Sequence, residues 1–303
     1  VNYNTNPITS AMFITATAPN PLIVDLIAKA TNSSIQITWA QWALAALLPG
    51  LCMLLLMPLV LYLFFPPEIK NTPDAKGMAL DALQKLGPMK AAEYVTLGVL
   101  ALMLLMWAGV PALLLGPAYD LNATTTAMIG LSLLILTGVL EWEDILKAKS
   151  AWDTLVWFAA LVMMATFLGK LGLIGWFSQS IQTGITGLGL GWVGATVILV
   201  GIYFYSHYFF ASTTAHITAM FGAFFAAGVA LGAPPMLLAL LLAFSSSLMM
   251  SLTHYGTGTA PIIFGSGYTT LNEWWAAGAI LSVVNLLVLV LVGSGWWKLL
   301  GYI

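Results

Sequence analysis

The sequence predicts an all-α polytopic membrane protein, and three observations carry that expectation. Sixty per cent of the residues are hydrophobic and only 7% are charged, with a mean hydropathy of +0.96, whereas soluble domains carry about a quarter charged residues. The charges fall in islands, and the gaps between them are long enough for the roughly 20 residues that cross hydrocarbon. Such gaps run from Lys29 to Glu68, Glu93 to Asp120, Asp120 to Glu141 and Glu273 to Lys298, and the whole of 171–272 holds no Asp, Glu, Lys or Arg. These runs have helix length and lack the alternation of a lipid-facing barrel strand.

Taken in order, the elements are as follows. Residues 1–14 read as the end of a helix, 15–19 as a break in it and 20–30 as a short second half. Trp39 and Trp42 mark an interface, and a helix from about 40 to 65 ends at Pro66-Pro67. The polar stretch 66–93, holding Lys70, Lys76, Lys85 and Lys90, reads as a cytoplasmic loop by its lysine bias. Spans at 94–115 and 121–140 follow. The alternation of charge with Trp142, Ile145, Leu146 and Trp152 over 141–153 suggests an interfacial helix. Segment 154–169 is short, and 172–191 is rich in glycine and polar residues. An apolar run at 194–205, the hydroxyl cluster Ser212-Thr213-Thr214 and a small-residue helix at 219–231 suggest a re-entrant hairpin. A helix at 235–253, a break at 254–261 and a last helix at about 274–297, anchored by Trp296-Trp297-Lys298, complete the chain.

The two breaks share a pattern, Thr15-Ala16-Thr17-Ala18-Pro19 and Thr257-Gly258-Thr259-Ala260-Pro261. Hydroxyls and unpaired backbone groups at membrane depth are tolerable where they line a cavity, and two such breaks in one chain point to an inverted-repeat transporter with its site between the copies. A helix restarting after Thr17 or Thr259 would present free N–H groups to an anion, while the carbonyls of Ala16 and Gly258 could coordinate a cation such as sodium. Thr17, Thr259, Ser212 and Thr214 are the candidate hydroxyl donors to a carboxylate, with Pro261 lining the second break. Thr15, Asn20, Thr213 and Thr257 form a second line.

All nine basic residues are lysine, so no guanidinium fork is available for a dianion. The three histidines, His207, His216 and His254, all fall in the charge-free stretch, where an ionisable group is a functional candidate. His216 and His254 could carry a proton near a bound anion, whereas His207, beside Tyr208, Phe209 and Phe210, reads as a neutral group bonding across helices. Lone Cys52 reads as a small buried hydrophobe, and near-neutral charge argues against nucleic acid. No metalloprotease, phosphate-loop or Gly-x-Ser-x-Gly pattern is present, so the chain is not expected to be an enzyme.

Several separated motifs resemble one family: Thr15 to Leu22, Pro66-Pro67-Glu68-Ile69-Lys70, Ala151-Trp152-Asp153-Thr154 with Trp157-Phe158, Ser212 to His216, and His254 to Gly267. They are similar to the divalent anion:sodium symporter family, in particular its 2-oxoglutarate/malate and citrate/succinate translocators. The resemblance implies a homodimeric, elevator-type carrier of di- or tricarboxylates in the bacterial inner membrane, whose Ser-Asn-Thr hairpin tips and broken helices clasp the substrate and, in symporters, sodium. Ser212 and Thr214 match the second tip's serine and threonine, while Thr213 stands where its asparagine would be, which together with the nearby histidines favours anion exchange or proton coupling over sodium coupling; a sodium- or proton-coupled dicarboxylate symporter is the alternative. An anion channel is the alternative of another class. The resemblance divides the chain into 1–65, an incomplete first repeat; 66–93, the cytoplasmic loop; 94–191, scaffold-like helices including 141–153; and 192–303, the second hairpin, second broken helix and last helix. The absence of an initial methionine and of a first hairpin before Thr15 is read as N-terminal truncation.

Overall fold

A computed structural model describes residues 1–67 and 73–303, all of them helical or connecting, with no strand among the described residues. The Glu68, Ile69 and Lys70 part of the motif above lies outside the described residues, as do the side chains of Asp153, Thr154, Trp157 and Phe158. Among the described residues, four helical stretches, Trp39–Phe64, Trp192–Phe209, Thr213–Ala230 and Leu271–Leu299, are long and apolar enough to cross a membrane, or five if the bent pair Ala75–Leu86 and Ala91–Trp107 forms one span. The chain divides into two compact units, residues 62–153 and residues 1–61 with 154–303.

In the larger unit, α1 (Asn2–Met12) and α2 (Pro19–Ala30) are separated by extended Phe13, a 3-10 turn over Ile14–Ala16 and extended Thr17. The break begins at Phe13, two residues before the 15–19 that the sequence predicts, and α2 restarts on Pro19, whose fixed φ suits a first helical position and whose missing N–H costs nothing there. Helix α3 (Trp39–Phe64) carries Pro49 and Pro58 within it. A proline orphans the carbonyl four residues earlier, and for Pro49 that carbonyl, Ala45 O, instead accepts from the buried indole Nε1 of Trp297 at 2.9 Å. Trp296 Nε1 likewise donates to Leu44 O at 2.7 Å. The last helix is therefore anchored to α3 through indoles whose sequence pattern suggested only an interfacial belt.

In the smaller unit, the polar stretch 66–93 is not a plain loop. It contains α4 (Ala75–Leu86), every residue of which is exposed. Helix α5 (Ala91–Trp107) turns away from α4 by 104°, at Gly87, whose φ of +71° only glycine adopts without strain. Helices α6 (Val110–Leu115) and α7 (Ala123–Leu136) follow, with Asn122 capping α7 through the Thr125 N–H at 2.8 Å. The stretch 141–153 is split between α8 (Trp142–Lys147) and the start of α9 (Lys149–Lys170). Trp152 Nε1 caps the end of α8 by donating to Ile145 O at 2.8 Å.

The chain re-enters the larger unit at residue 154, within α9, and α10 (Leu173–Thr186) packs on the hairpin. One hairpin arm is α11 (Trp192–Tyr205) extended by a 3-10 turn over Ser206–Phe209; the other is α12 (Thr213–His216), a π-helical turn over Ile217–Phe221, and α13 (Gly222–Ala230). The tip is Phe210-Ala211-Ser212. Helix α14 (Pro235–Leu248) is the most buried element, with every residue from Leu237 to Leu248 in the core. After a 3-10 turn over Met249–Ser251 the second break runs to α15 (Ala260–Phe264). The final helix, α16 (Leu271–Val288), starts three residues earlier than its apolar pattern predicts, because Thr270 and Glu273 close a capping box: Thr270 N–H donates to Glu273 at 2.7 Å and Glu273 N–H to Thr270 Oγ1 at 3.3 Å. A π-helical turn over Leu289–Gly293 leads into α17 (Ser294–Leu299).

Candidate functional site

The candidate site comprises the first break, the second break and the hairpin tip, all in the larger unit. Helix α1 packs against α14 and its 3-10 extension. Tyr3 crosses to the second break: its hydroxyl donates to Met250 O at 2.8 Å and lies 3.4 Å from Thr257 Oγ1. Below that bond Tyr3 packs with Ala260, Trp274 and Phe264, its ring 4.7 Å from that of Trp274. In the other direction, fully buried Asn20 reaches α14, where Ser247 Oγ donates to its Oδ1 at 3.5 Å.

At the first break, Asn20 spends both amide hydrogens on carbonyls, each at 2.9 Å: Ser10 O in the last turn of α1, and Phe13 O just past it, which also accepts from Ala16 N–H at 3.1 Å. A third, Ala11 O, accepts from Trp42 Nε1 at 2.8 Å. Asn20 thus fixes the loop from within. The candidate donors lie at the edge of this frame. Thr15 is exposed and accepts from Trp39 Nε1 at 3.2 Å, and Ala16 is exposed. Thr17 Oγ1 is buried with no hydrogen-bond partner among the described residues.

At the second break, Thr257 and Thr259 hydroxyls lie 3.2 Å apart, and Thr257 Oγ1 accepts from Ala260 N–H at 3.2 Å. Gly258, Thr259 and Pro261 are exposed. The hairpin tip meets the break at Gly256: its carbonyl accepts from Thr213 Oγ1 at 3.3 Å and from His207 Nε2 at 3.2 Å. Ser212 caps α12 by accepting from Ala215 N–H at 3.3 Å, which leaves its own proton to donate. Thr214 Oγ1 is half-buried and unpartnered among the described residues.

One sequence expectation is reduced by this geometry. The restarting helices offer few free amides: Pro19 and Pro21 have none, and Asn20 N–H already donates to Thr17 O at 3.2 Å. At the second restart Ala260 N–H is taken, Pro261 has none, and the helix is only five residues long. A short helix sums few peptide dipoles, so the candidate hydroxyls, rather than the helix ends, are the groups left free to donate.

The histidines separate clearly. His216 is fully buried, stacked at 4.7 Å on Tyr203 and 4.7 Å from Phe210. Nε2 lies 2.8 Å from Ser206 Oγ, whose single proton goes to Tyr203 O at 2.8 Å, so in the neutral ring Nε2 donates to Ser206 and Nδ1 faces Met249 Sδ at 3.1 Å. Both nitrogens are thereby used inside the protein. His254 Nδ1 accepts from Trp275 Nε1 at 3.2 Å and its ring lies 4.9 Å from Phe264, toward α15 and α16 rather than the hairpin tip. His207 is the histidine that joins tip to break; its sequence context suggested a neutral ring bonding across helices, but not which group it meets. Tyr3 was invisible in the sequence, since nothing local marks a tyrosine whose partner lies 247 residues away. No group of three or more His, Cys, Asp or Glu side chains that could hold a metal occurs among the described residues.

The family model for the sodium:sulfate symporter transmembrane region matches residues 1–303. The chain belongs to this family. A putative malate transporter, YflS of Bacillus subtilis, is 50% identical over 296 residues, covering 98% of this chain and 60% of the relative. The chloroplastic dicarboxylate transporter 1 of Arabidopsis thaliana is 46% identical over 299 residues, covering 99% of this chain and 52% of that protein. The inner membrane protein YbhI of Escherichia coli is 38% identical over 298 residues, covering 98% of this chain and 60% of the relative. The chain thus spans about half the length of the curated relatives it matches, and the motif resemblance read from the sequence stands at the level of the family. The family and the relatives named for an activity are transporters rather than enzymes.

Proposed function

We propose that the protein is a secondary transporter of dicarboxylates, working by alternating access and exchanging one anion for another. The observation that carries this reading is the meeting of the hairpin tip with the second break at Gly256 O. It joins the segment that carries Ser212 and Thr214 to the one that carries Thr257 and Thr259, candidate hydroxyl donors in a stretch with no charged side chain. Neutral hydroxyls suit a carboxylate that must be released again on the far side, because a fixed cation would hold it too firmly. Thr17 Oγ1, buried and unpartnered, supplies a further donor from the first break. The names of the relatives support dicarboxylates as the solute class.

Exchange is favoured over sodium coupling by Thr213. Its hydroxyl donates to Gly256 O, so at this position the chain presents a donor to the break rather than an oxygen to a cation. Ala16 and Gly258 remain the carbonyls that a sodium ion would use if coupling exists, and the family description supports that second reading. A homodimer of elevator type in a bacterial cytoplasmic membrane is the arrangement we infer for the whole protein. The test is uptake of labelled dicarboxylate into proteoliposomes holding the full-length protein and internal dicarboxylate. Uptake is expected to persist when potassium replaces sodium and to vanish in Ser212→Ala/Thr214→Ala. Strict sodium dependence would sink the exchange reading, and non-saturating flux without internal substrate would instead identify a channel.

A further inference from the structure

We propose that His207 and Thr213 are positioning residues that present the second break to substrate through one shared acceptor, the carbonyl of Gly256; this rests on the site proposed above. The geometry supplies four supports. Both donors converge on the same oxygen, His207 Nε2 at 3.2 Å and Thr213 Oγ1 at 3.3 Å. Because a carbonyl only accepts, His207 must carry its proton on Nε2, and Nδ1 is then an acceptor, buried and unpartnered among the described residues. A reciprocal bond runs the other way, with Tyr255 OH donating to Tyr208 O at 2.8 Å. Finally, residue 256 must be glycine: a Cβ there would stand 2.8 Å from His207 Nε2 and 2.9 Å from Thr253 Oγ1.

The consequence concerns the next residues along. Gly256 precedes Thr257, Gly258 and Thr259, a segment with no regular secondary structure. Left alone, such a segment would sample many backbone conformations, and ordering it would fall on substrate binding. The bonds at 255 and 256 fix the peptide plane from which Thr257 and Thr259 project. Neither His207 nor Thr213 needs to touch the anion, and both act through the break. His207, 0% exposed, is placed for this role and not for proton exchange with solvent.

The test uses the full-length protein with Cys52→Ser and a single Gly258→Cys, a position where an added Cβ meets nothing within 4 Å. Maleimide labelling of that thiol reports how freely the break moves, whatever solute is transported. Thr213→Val, which keeps the shape but removes the donor, and His207→Phe are each expected to speed labelling about tenfold, the change that loss of one hydrogen bond of ordinary strength brings. Thr213→Ser and His207→Gln, which keep a donor, should restore the parent rate. In proteoliposomes without the reporter cysteine, the Val and Phe variants should raise the half-saturating dicarboxylate concentration by about tenfold with little change in maximal rate per folded protein. A merely structural role would lower the folded fraction and leave half-saturation alone. Labelling and half-saturation both within about twofold of the parent in Thr213→Val and His207→Phe, well under the change a lost hydrogen bond brings, would overturn the proposal. Faster labelling with no dicarboxylate transport by the parent protein would uphold the positioning role and refute the substrate assignment instead.

Discussion

The two breaks carry nearly the same five residues and are held by different chemistry. The first is fixed from inside by one side chain: Asn20 bridges Ser10 O and Phe13 O, with indoles from α3 capping what remains. The second has Ile262 where the first has Asn20, and no internal amide does that work. It is held from outside, by the hairpin at Gly256, by Tyr3 of α1 at Met250 O, and by α16, which approaches so closely that Gly278 meets Ser251 O and Leu252 O. A repeated motif therefore need not be stabilised twice in the same way. An interrupted helix needs its freed carbonyls satisfied, and any nearby donor serves.

The largest expected effect comes from removing the internal frame of the first break. Asn20→Leu strips the side-chain donor from Ser10 O, removes one of the two donors to Phe13 O and leaves Ser247 without its acceptor; at about 1–3 kcal/mol for each buried group left unsatisfied, the variant should lose thermal stability in detergent by more than any single change at the second break. A small shift would mean that the first break is supported mainly by its indoles. Gly278→Ala comes next. Its Cβ would lie 2.6 Å from Ser251 O and 2.8 Å from Leu252 O, both backbone atoms that cannot step aside, and overpacking of this kind costs about 1–3 kcal/mol. We expect a lower melting temperature together with impaired transport, and normal behaviour would show that α16 does not brace the second break.

A third change tests carbonyl capping in the helix that frames the first break. Trp297→Phe leaves Ala45 O without its indole donor, at a cost of roughly 1–2 kcal/mol. Pro49→Ala in the same background returns a backbone N–H to that carbonyl, so the double variant should recover part of the loss in a double-mutant cycle. Strict additivity of the two changes would break the link between Pro49 and Trp297. The smallest effect is expected on the surface of α2. Lys29 and Asp25 form an exposed i,i+4 pair at 2.6 Å, and such pairs contribute about 0.5 kcal/mol or less. Asp25→Asn should therefore leave the melting temperature and the first break unchanged within error.

How much was readable beforehand follows from how local each determinant is. The approximate position of both breaks was readable, since each Thr-x-Thr-Ala-Pro segment sets a proline where a helix can restart without its N–H. The hairpin was readable as a hydroxyl-rich tip between apolar arms. The polar stretch 66–93 hid α4, because twelve exposed residues have no core to give them a helical apolar stripe. The stretch 141–153 read as one helix because its alternation of charge and tryptophan continues across Ala148, where the backbone leaves helical geometry. His216 looked more accessible in the sequence than it is, since its neighbours in chain do not reveal Tyr203 stacked on its ring or Met249 at its Nδ1.

By itself, then, the sequence determined the solvent of this protein, the places where its helices stop, and the hydroxyl chemistry available there, because hydrophobicity, proline and the lack of arginine are properties of composition and short segments. The tertiary structure alone decided which carbonyl receives which donor. Ser247 and Asn20 are 227 residues apart, Trp297 and Ala45 252, and Gly256 and His207 49. Such pairings exist only once packed helices bring together groups that water cannot reach, and then each unsatisfied atom selects whatever partner the packing has placed within hydrogen-bonding distance.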